Sequence, residues 1–208
     1  MKHPNAARVG RKKGFTLMEM LIVIAIIAVL VAIAIPTISA ATEKAARAVD
    51  MANARALQAM LAAMILQGDI EFPDARVAPS EAEIGVWILV CKDTASYPNA
   101  YYTGKDSTFF CGANTGVSIS GATSVGWNQQ LSGFRQAVVS CLGGADAVRS
   151  HSNAKREVGG VKGWDWYNVE YAYDPATKNV TSRIYSGFAG QRSSFDIGKS
   201  NMEIYMGK

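Results

Sequence analysis

The chain is poor in the residues that most often carry chemistry. Its 208 residues include two histidines, His3 and His151, and three cysteines, Cys91, Cys111 and Cys141. No Cys or His pair has zinc-ligand spacing. Asp165, Asp174 and Asp196 form no calcium loop. There is no Gly-rich phosphate loop and no Ser/His/Asp set, so neither metal, cofactor nor catalytic activity is expected. Acids are missing from the first 14 positions, which instead hold Lys2, Arg8, Arg11, Lys12 and Lys13. Beyond Gly14 the chain carries 16 basic and 17 acidic side chains, so the formal charge of +4 belongs to the leader. That balance argues against direct nucleic-acid binding. Clustered N-terminal cations speak of topology: they stay in the cytoplasm while the body crosses.

One long apolar run is present. Arg11 to Pro36 reads RKKGFTLMEMLIVIAIIAVLVAIAIP, and from Phe15 to Ile35 only Thr16 and Glu19 interrupt it. About 20 residues rising 1.5 Å each cross a hydrocarbon core of ~30 Å. A charge at the centre of such a helix costs roughly 2.5–3.5 kcal/mol, and less near an end. Glu19 therefore needs a partner.

Gly14, Phe15, Thr16, Leu17, Glu19 and Pro36 together resemble the N-terminal signature of type IV prepilins and the related pseudopilins of type II secretion. The resemblance covers about the first quarter of the chain. It implies that a membrane aspartyl peptidase cuts between Gly14 and Phe15 and methylates the new Phe15 amine. It further implies assembly into a helical filament with copies of the chain, through pilus machinery, after insertion in the inner membrane. The alternative within this class is a pseudopilin of a secretion or competence system. A more remote one is a membrane-anchored exported enzyme or binding domain. An ordinary signal peptide cleaved near Ala32-Ile33-Ala34 would leave Glu19 without purpose.

The electrostatic expectation for Glu19 follows. In its own helix a Phe15 amine sits about 6 Å along the axis. In a neighbouring copy shifted by one turn, amine and carboxylate could meet directly and set the register of a filament.

The helical pattern continues past Pro36, where a kink is expected because proline cannot donate to the carbonyl of Ala32. Ile38, Ala41, Ala45, Ala48, Val49, Ala52, Ala56, Met60 and Met64 recur at spacings of three and four as an apolar stripe. Glu43, Lys44, Arg47, Asp50 and Arg55 lie mostly off it, with Glu43 and Arg47 as an i, i+4 pair. Gly68 offers a C-cap. The expected divisions are a leader at 1–14, a membrane and polymerisation helix at 15–36, an amphipathic helix at 37–68 and a globular head at 69–208.

Ser80-Glu81-Ala82-Glu83 is a capping box, which favours a short helix carrying Ile84, Trp87, Ile88 and Cys91 over a strand at 86–90. Residues 92–126 read as loop with short strands, 128–142 as a helix, and 145–163 as an exposed polar loop. Strands are expected up to Asp174 and again over Val180–Tyr185, about a turn at 174–179. Phe195/Ile197 and Met202/Ile204/Met206 alternate as later strands. The fold class is α+β, a long kinked helix packed on a C-terminal antiparallel sheet.

In an exported domain a Cys91–Cys111 disulfide closing Lys92–Phe110 is preferred, with Cys111–Cys141 the runner-up, for about 3 kcal/mol of loop entropy. The alternative is that all three are small buried hydrophobes. Ser152-x-x-Lys155 lacks the companion motifs of the penicillin-recognising enzymes. Asn179-Val180-Thr181 fits a glycosylation sequon but reads better as turn, and the Trp164/Trp166/Tyr167/Tyr171/Tyr173 cluster reads as sheet core.

Overall fold

The computed structural model describes residues 14–75, 84–98, 108–120, 122–123, 132–191 and 199–207. The chain divides into two compact units, Met1–Ser39 and Ala40–Lys208. In chain order the elements are α1 (Leu17–Gln67), β1 (Ile70–Glu71), β2 (Ile84–Cys91), β3 (Phe109–Ala113), β4 (Ser118–Ile119), β5 (Ala122–Thr123), α2 (Ser132–Leu142), β6 (Glu157–Val158), β7 (Val161–Lys162), β8 (Trp166–Asp174), β9 (Asn179–Gly187) and α3 (Asn201–Tyr205).

Helix α1 contributes to both units and continues through Pro36. Next to the missing proline donor, the Thr37 hydroxyl donates to the Ala34 carbonyl at 2.9 Å and to that of Ile33 at 3.4 Å. The helix stops as expected at Gly68, whose φ of +80° suits a residue without Cβ. Gly68 N–H reaches the Ile65 carbonyl and Asp69 N–H that of Met64, the paired bonds of a Schellman motif.

In the second unit β3-β2-β8-β9 form a four-stranded antiparallel sheet. Alternation sorts its side chains. Ile84, Val86, Ile88, Val90, Val169 and Ile184 face the core shared with Ala54, Leu57 and Leu61 of α1 and Phe134 and Val138 of α2. Leu89, Cys91, Phe110, Trp166 and Tyr185 face the other way, with Tyr97. The β8–β9 hairpin and α2 appear where the sequence places them. Asp174 shapes the turn between β8 and β9, its carboxylate accepting from Ala176 N–H and the Thr177 hydroxyl.

Four expectations are corrected. The helix over Ile84–Cys91 is a strand, buried on both sides and paired along its length with β8. A continuous run of β-branched residues suits such a central strand; the capping-box residues 80–83 lie outside the described residues. Met202/Ile204 belong to the short helix α3, not a strand, because Ser200 and Glu203 form a reciprocal capping box. Phe195 and Ile197 lie outside the described residues.

The disulfide is the third correction, since all three cysteines are free thiols. Cys111 stands opposite Ile88 and faces the main core, whereas Cys91, three residues along β2, faces the opposite side of the sheet. Three residues of strand separate them by about 10 Å, beyond a disulfide's reach of about 7 Å between Cα atoms. Cys141 is exposed on α2 while Cys111 is buried, so the runner-up bridge is not formed either.

The fourth concerns the buried face of α1. It is not the Ala/Val stripe: Ala41, Ala45, Ala48, Val49 and Ala52 are exposed, and Glu43, Arg47, Asp50, Ala54, Leu57 and Leu61 are buried.

Candidate functional site

The N-terminal motif begins with open backbone. A Cβ on Gly14 would meet no atom within 4 Å, so nothing inside this chain requires glycine there. The requirement must come from whatever the segment enters, where a bare backbone is easiest to accommodate. Phe15 is 81% exposed.

Thr16 and Glu19 then start α1 as a capping box that the sequence reading missed, although Thr-x-x-Glu is its signature. The Glu19 N–H donates to the Thr16 hydroxyl at 3.2 Å. In return Glu19 Oε2 accepts from Thr16 N–H at 2.8 Å and from the Thr16 hydroxyl at 2.9 Å. Every one of these bonds to the carboxylate uses Oε2, so Oε1 is left without a partner among the described residues. Because the helix begins at Leu17, Phe15 lies outside it. Beyond Glu19, the large apolar side chains from Met20 to Ile38 are exposed, and by length and composition this helix can cross a membrane.

Farther along α1, Glu43, Arg47 and Asp50 take part in a second polar constellation. Residues 150–164, expected as an exposed loop, form a strap over them that includes the β6–β7 hairpin. Arg47 is fully buried, bonds Glu43 Oε1 through Nε at 3.0 Å, and donates to the carbonyls of Val161 and Arg156, each at 3.1 Å. Its guanidinium lies 5.5 Å from the Trp164 ring centre and 4.9 Å from that of Tyr205, within cation–π range. Asp50 accepts from the Ser150 hydroxyl, the His151 and Ser152 amides, Trp164 Nε1 and His151 Nδ1. A carboxylate only accepts, so Nδ1 carries the hydrogen in that last bond. The Ser152 hydroxyl donates to Glu43 at 2.6 Å and accepts from Trp164 N–H, so it joins α1 to the strap rather than serving Lys155.

The family model for the prokaryotic N-terminal methylation motif matches residues 10–35. The chain is a type IV prepilin- or pseudopilin-like protein. No curated protein and no solved structure matches it. In this prepilin-like chain the matched residues contain Gly14, Phe15 and Glu19, and Pro36 follows directly. The motif implies processing by a prepilin peptidase, membrane anchoring before assembly, and assembly with pilus or secretion machinery.

Other sequence candidates resolve structurally. Trp164, Trp166 and Tyr167 are buried in the head, and burial holds the Tyr167 hydroxyl far above its ordinary pKa. Burial likewise pushes the Cys111 thiol up, against the opposing charge of Arg135, which keeps it an unreactive hydrophobe. Among the described residues no cluster of His, Cys, Asp and Glu could hold a metal ion.

Proposed function

We propose that this chain is a structural subunit and not an enzyme. It is cut after Gly14, methylated at Phe15, and polymerised with copies of itself into a helical surface filament of the type IV pilus class. The supporting observation is Glu19, a carboxylate on an exposed apolar helix with one oxygen held by Thr16 and the other open. A neighbour's Phe15 ammonium could take Oε1 without disturbing the cap. In a low-dielectric layer that attraction is far stronger than in water.

The exposed small residues of α1 add to this reading. Ala41, Ala45, Ala48 and Ala52 continue the apolar surface past Pro36, and small side chains let helices approach closely. Copies meeting head to tail in this way do not close, so they extend into a filament. In water each exposed large side chain of the run would cost roughly 1.5–3 kcal/mol, which favours the polymer over a free subunit.

Two substitutions separate the charge from the cap. Glu19→Gln keeps a side chain able to close a capping box, whereas Glu19→Ala removes both functions. Both variants should be cut and methylated, by intact mass, and both should lose filaments in electron micrographs. Filament formation by Glu19→Gln at the wild-type level would sink the electrostatic registry. Filaments confined to the periplasm would favour the pseudopilin alternative.

A further inference from the structure

The head contains a polar cavity that the assembly reading leaves unused. Its volume is about 160 Å³ and its walls include Thr42 and Glu43 of α1, Lys92 after β2, and His151, Asn153 and Arg156 of the strap. At ~30 Å³ per water that is room for a phosphate group with some of its hydration.

The free charge on these walls is positive. Glu43, the one acid among those side chains, is already bonded by Arg47, Ser152 and the Asn153 amide. Lys92 is half-buried, and among the described residues no carboxylate or carbonyl accepts from its ammonium. Arg156 adds a second cation. Asn153 Oδ1 accepts from Lys155 N–H, which leaves its NH2 as a donor. His151 is anchored to Asp50 through Nδ1 at 3.0 Å, so its ring is a fixed part of the wall.

Position along α1 selects among anions. Thr42 follows Ile38, the last large apolar side chain of the exposed run, by four residues of the same helix. Four residues rise about 6 Å, and a bilayer's headgroup layer extends roughly 5–7 Å beyond the hydrocarbon on each side. With the apolar run in a membrane, this part of α1 stands among lipid phosphates.

We propose that the cavity binds the phosphate diester of an anionic phospholipid in the outer half of the membrane, before the subunit is drawn into a filament. This rests on the membrane-inserted stage of the proposed function. Lys92 and Arg156 supply the charge and the Asn153 amide a directional bond. Extraction of the subunit would release the lipid, so the site acts on the stored subunit rather than on the polymer.

The test uses the unprocessed full chain in a neutral detergent micelle, titrated with dihexanoyl-phosphatidylglycerol. The readout is the imidazole ¹⁵N resonances, with His151→Gln identifying the His151 signals and His3 serving as internal control. The His151 signals should shift saturably and those of His3 should not. Inorganic phosphate should need at least tenfold higher concentration. The double variant Lys92→Gln/Arg156→Gln should bind at least tenfold more weakly with unchanged tryptophan fluorescence, and Lys92→Gln alone should fall between. Equal affinity for inorganic phosphate, unaltered lipid affinity in the double variant, or no shift at all would each overturn the assignment. An alkaline membrane wash distinguishes the two readings. A chain that washes off defeats the proposed function itself, whereas a retained chain with a silent His151 defeats only the lipid site.

Discussion

Residues 17–39 of α1 carry a single charge, Glu19, on a surface of exposed apolar side chains, whereas residues 40–67 bury Glu43, Arg47 and Asp50 and leave Val49 exposed. Composition alone would assign the opposite burial. The difference is the supply of partners. Asp50 has donors from four residues of a strap about a hundred positions away, and Arg47 has a carboxylate, two carbonyls and two aromatic faces. Charges so surrounded lose little on leaving water. The first unit has no such strap, and Glu19 has only the first turn of its own helix. A helix in this chain can thus carry charge inward where the fold supplies donors. Elsewhere it must take a partner from another molecule or stand near the helix end.

The contrast breaks most readily at Asp50. Asp50→Ala orphans buried donors and unbalances Arg47, and should destabilise the head by about 3–5 kcal/mol. Urea unfolding of the detergent-held chain, followed by tryptophan fluorescence, measures it. A loss under 1 kcal/mol would show that the strap does not depend on this carboxylate.

Leucines give the next largest effect. Leu57 is fully buried and Leu30 is 61% exposed. Leu57→Ala should cost roughly 2–5 kcal/mol in the same experiment, and Leu30→Ala within about 0.5 kcal/mol. Leu30→Ala should instead reduce filament yield, which Leu57→Ala would do only by unfolding the head. Similar unfolding costs for the two would erase the distinction between the units.

Glu19→Ala should remove about 1 kcal/mol of helix capping, seen as faster amide exchange at Leu17 to Met20. Glu19→Gln should restore most of that protection. If Gln leaves the first turn as frayed as Ala does, the hydrogen bonds to Thr16 are not what holds it.

The smallest effect is at α3. Burial works to raise the Glu203 carboxyl, but the Ser200 amide and hydroxyl and the Arg183 guanidinium outweigh it and hold its pKa below the ordinary value. A depressed pKa gives stability that is present above the unfolded value, near pH 4.5, and is lost as pH falls through the folded one. The urea midpoint should therefore drop more between pH 5 and pH 3 in the wild type than in Glu203→Gln, which retains a capping side chain. Equal drops would mean that this carboxylate contributes nothing.

Much of this was legible from local pattern. The Gly14–Glu19 register, the C-cap at Gly68 and the turn after Asp174 each depend on a few neighbouring residues, and each appears where expected. The strand at Ile84–Cys91 was misread because a capping box and a helical face compete locally with a β-branched run, and only pairing with β8 decides between them. The buried face of α1 was legible in principle. Glu43, Arg47, Asp50, Ala54, Leu57 and Leu61 keep one unbroken three-and-four spacing, but hydrophobicity alone directs attention to the alanines beside them.

The sequence by itself determined the N-terminal half of this protein's character: a basic leader, a processing junction, an apolar span and one acid, all set by order along a single helix. Tertiary structure decided which face of α1 turns inward, that Cys91 and Cys111 lie on opposite sides of a sheet, and that a polar loop closes over three charges. Those outcomes depend on strand register and on donors far apart in the chain. No local pattern encodes the distance between groups that only folding brings together.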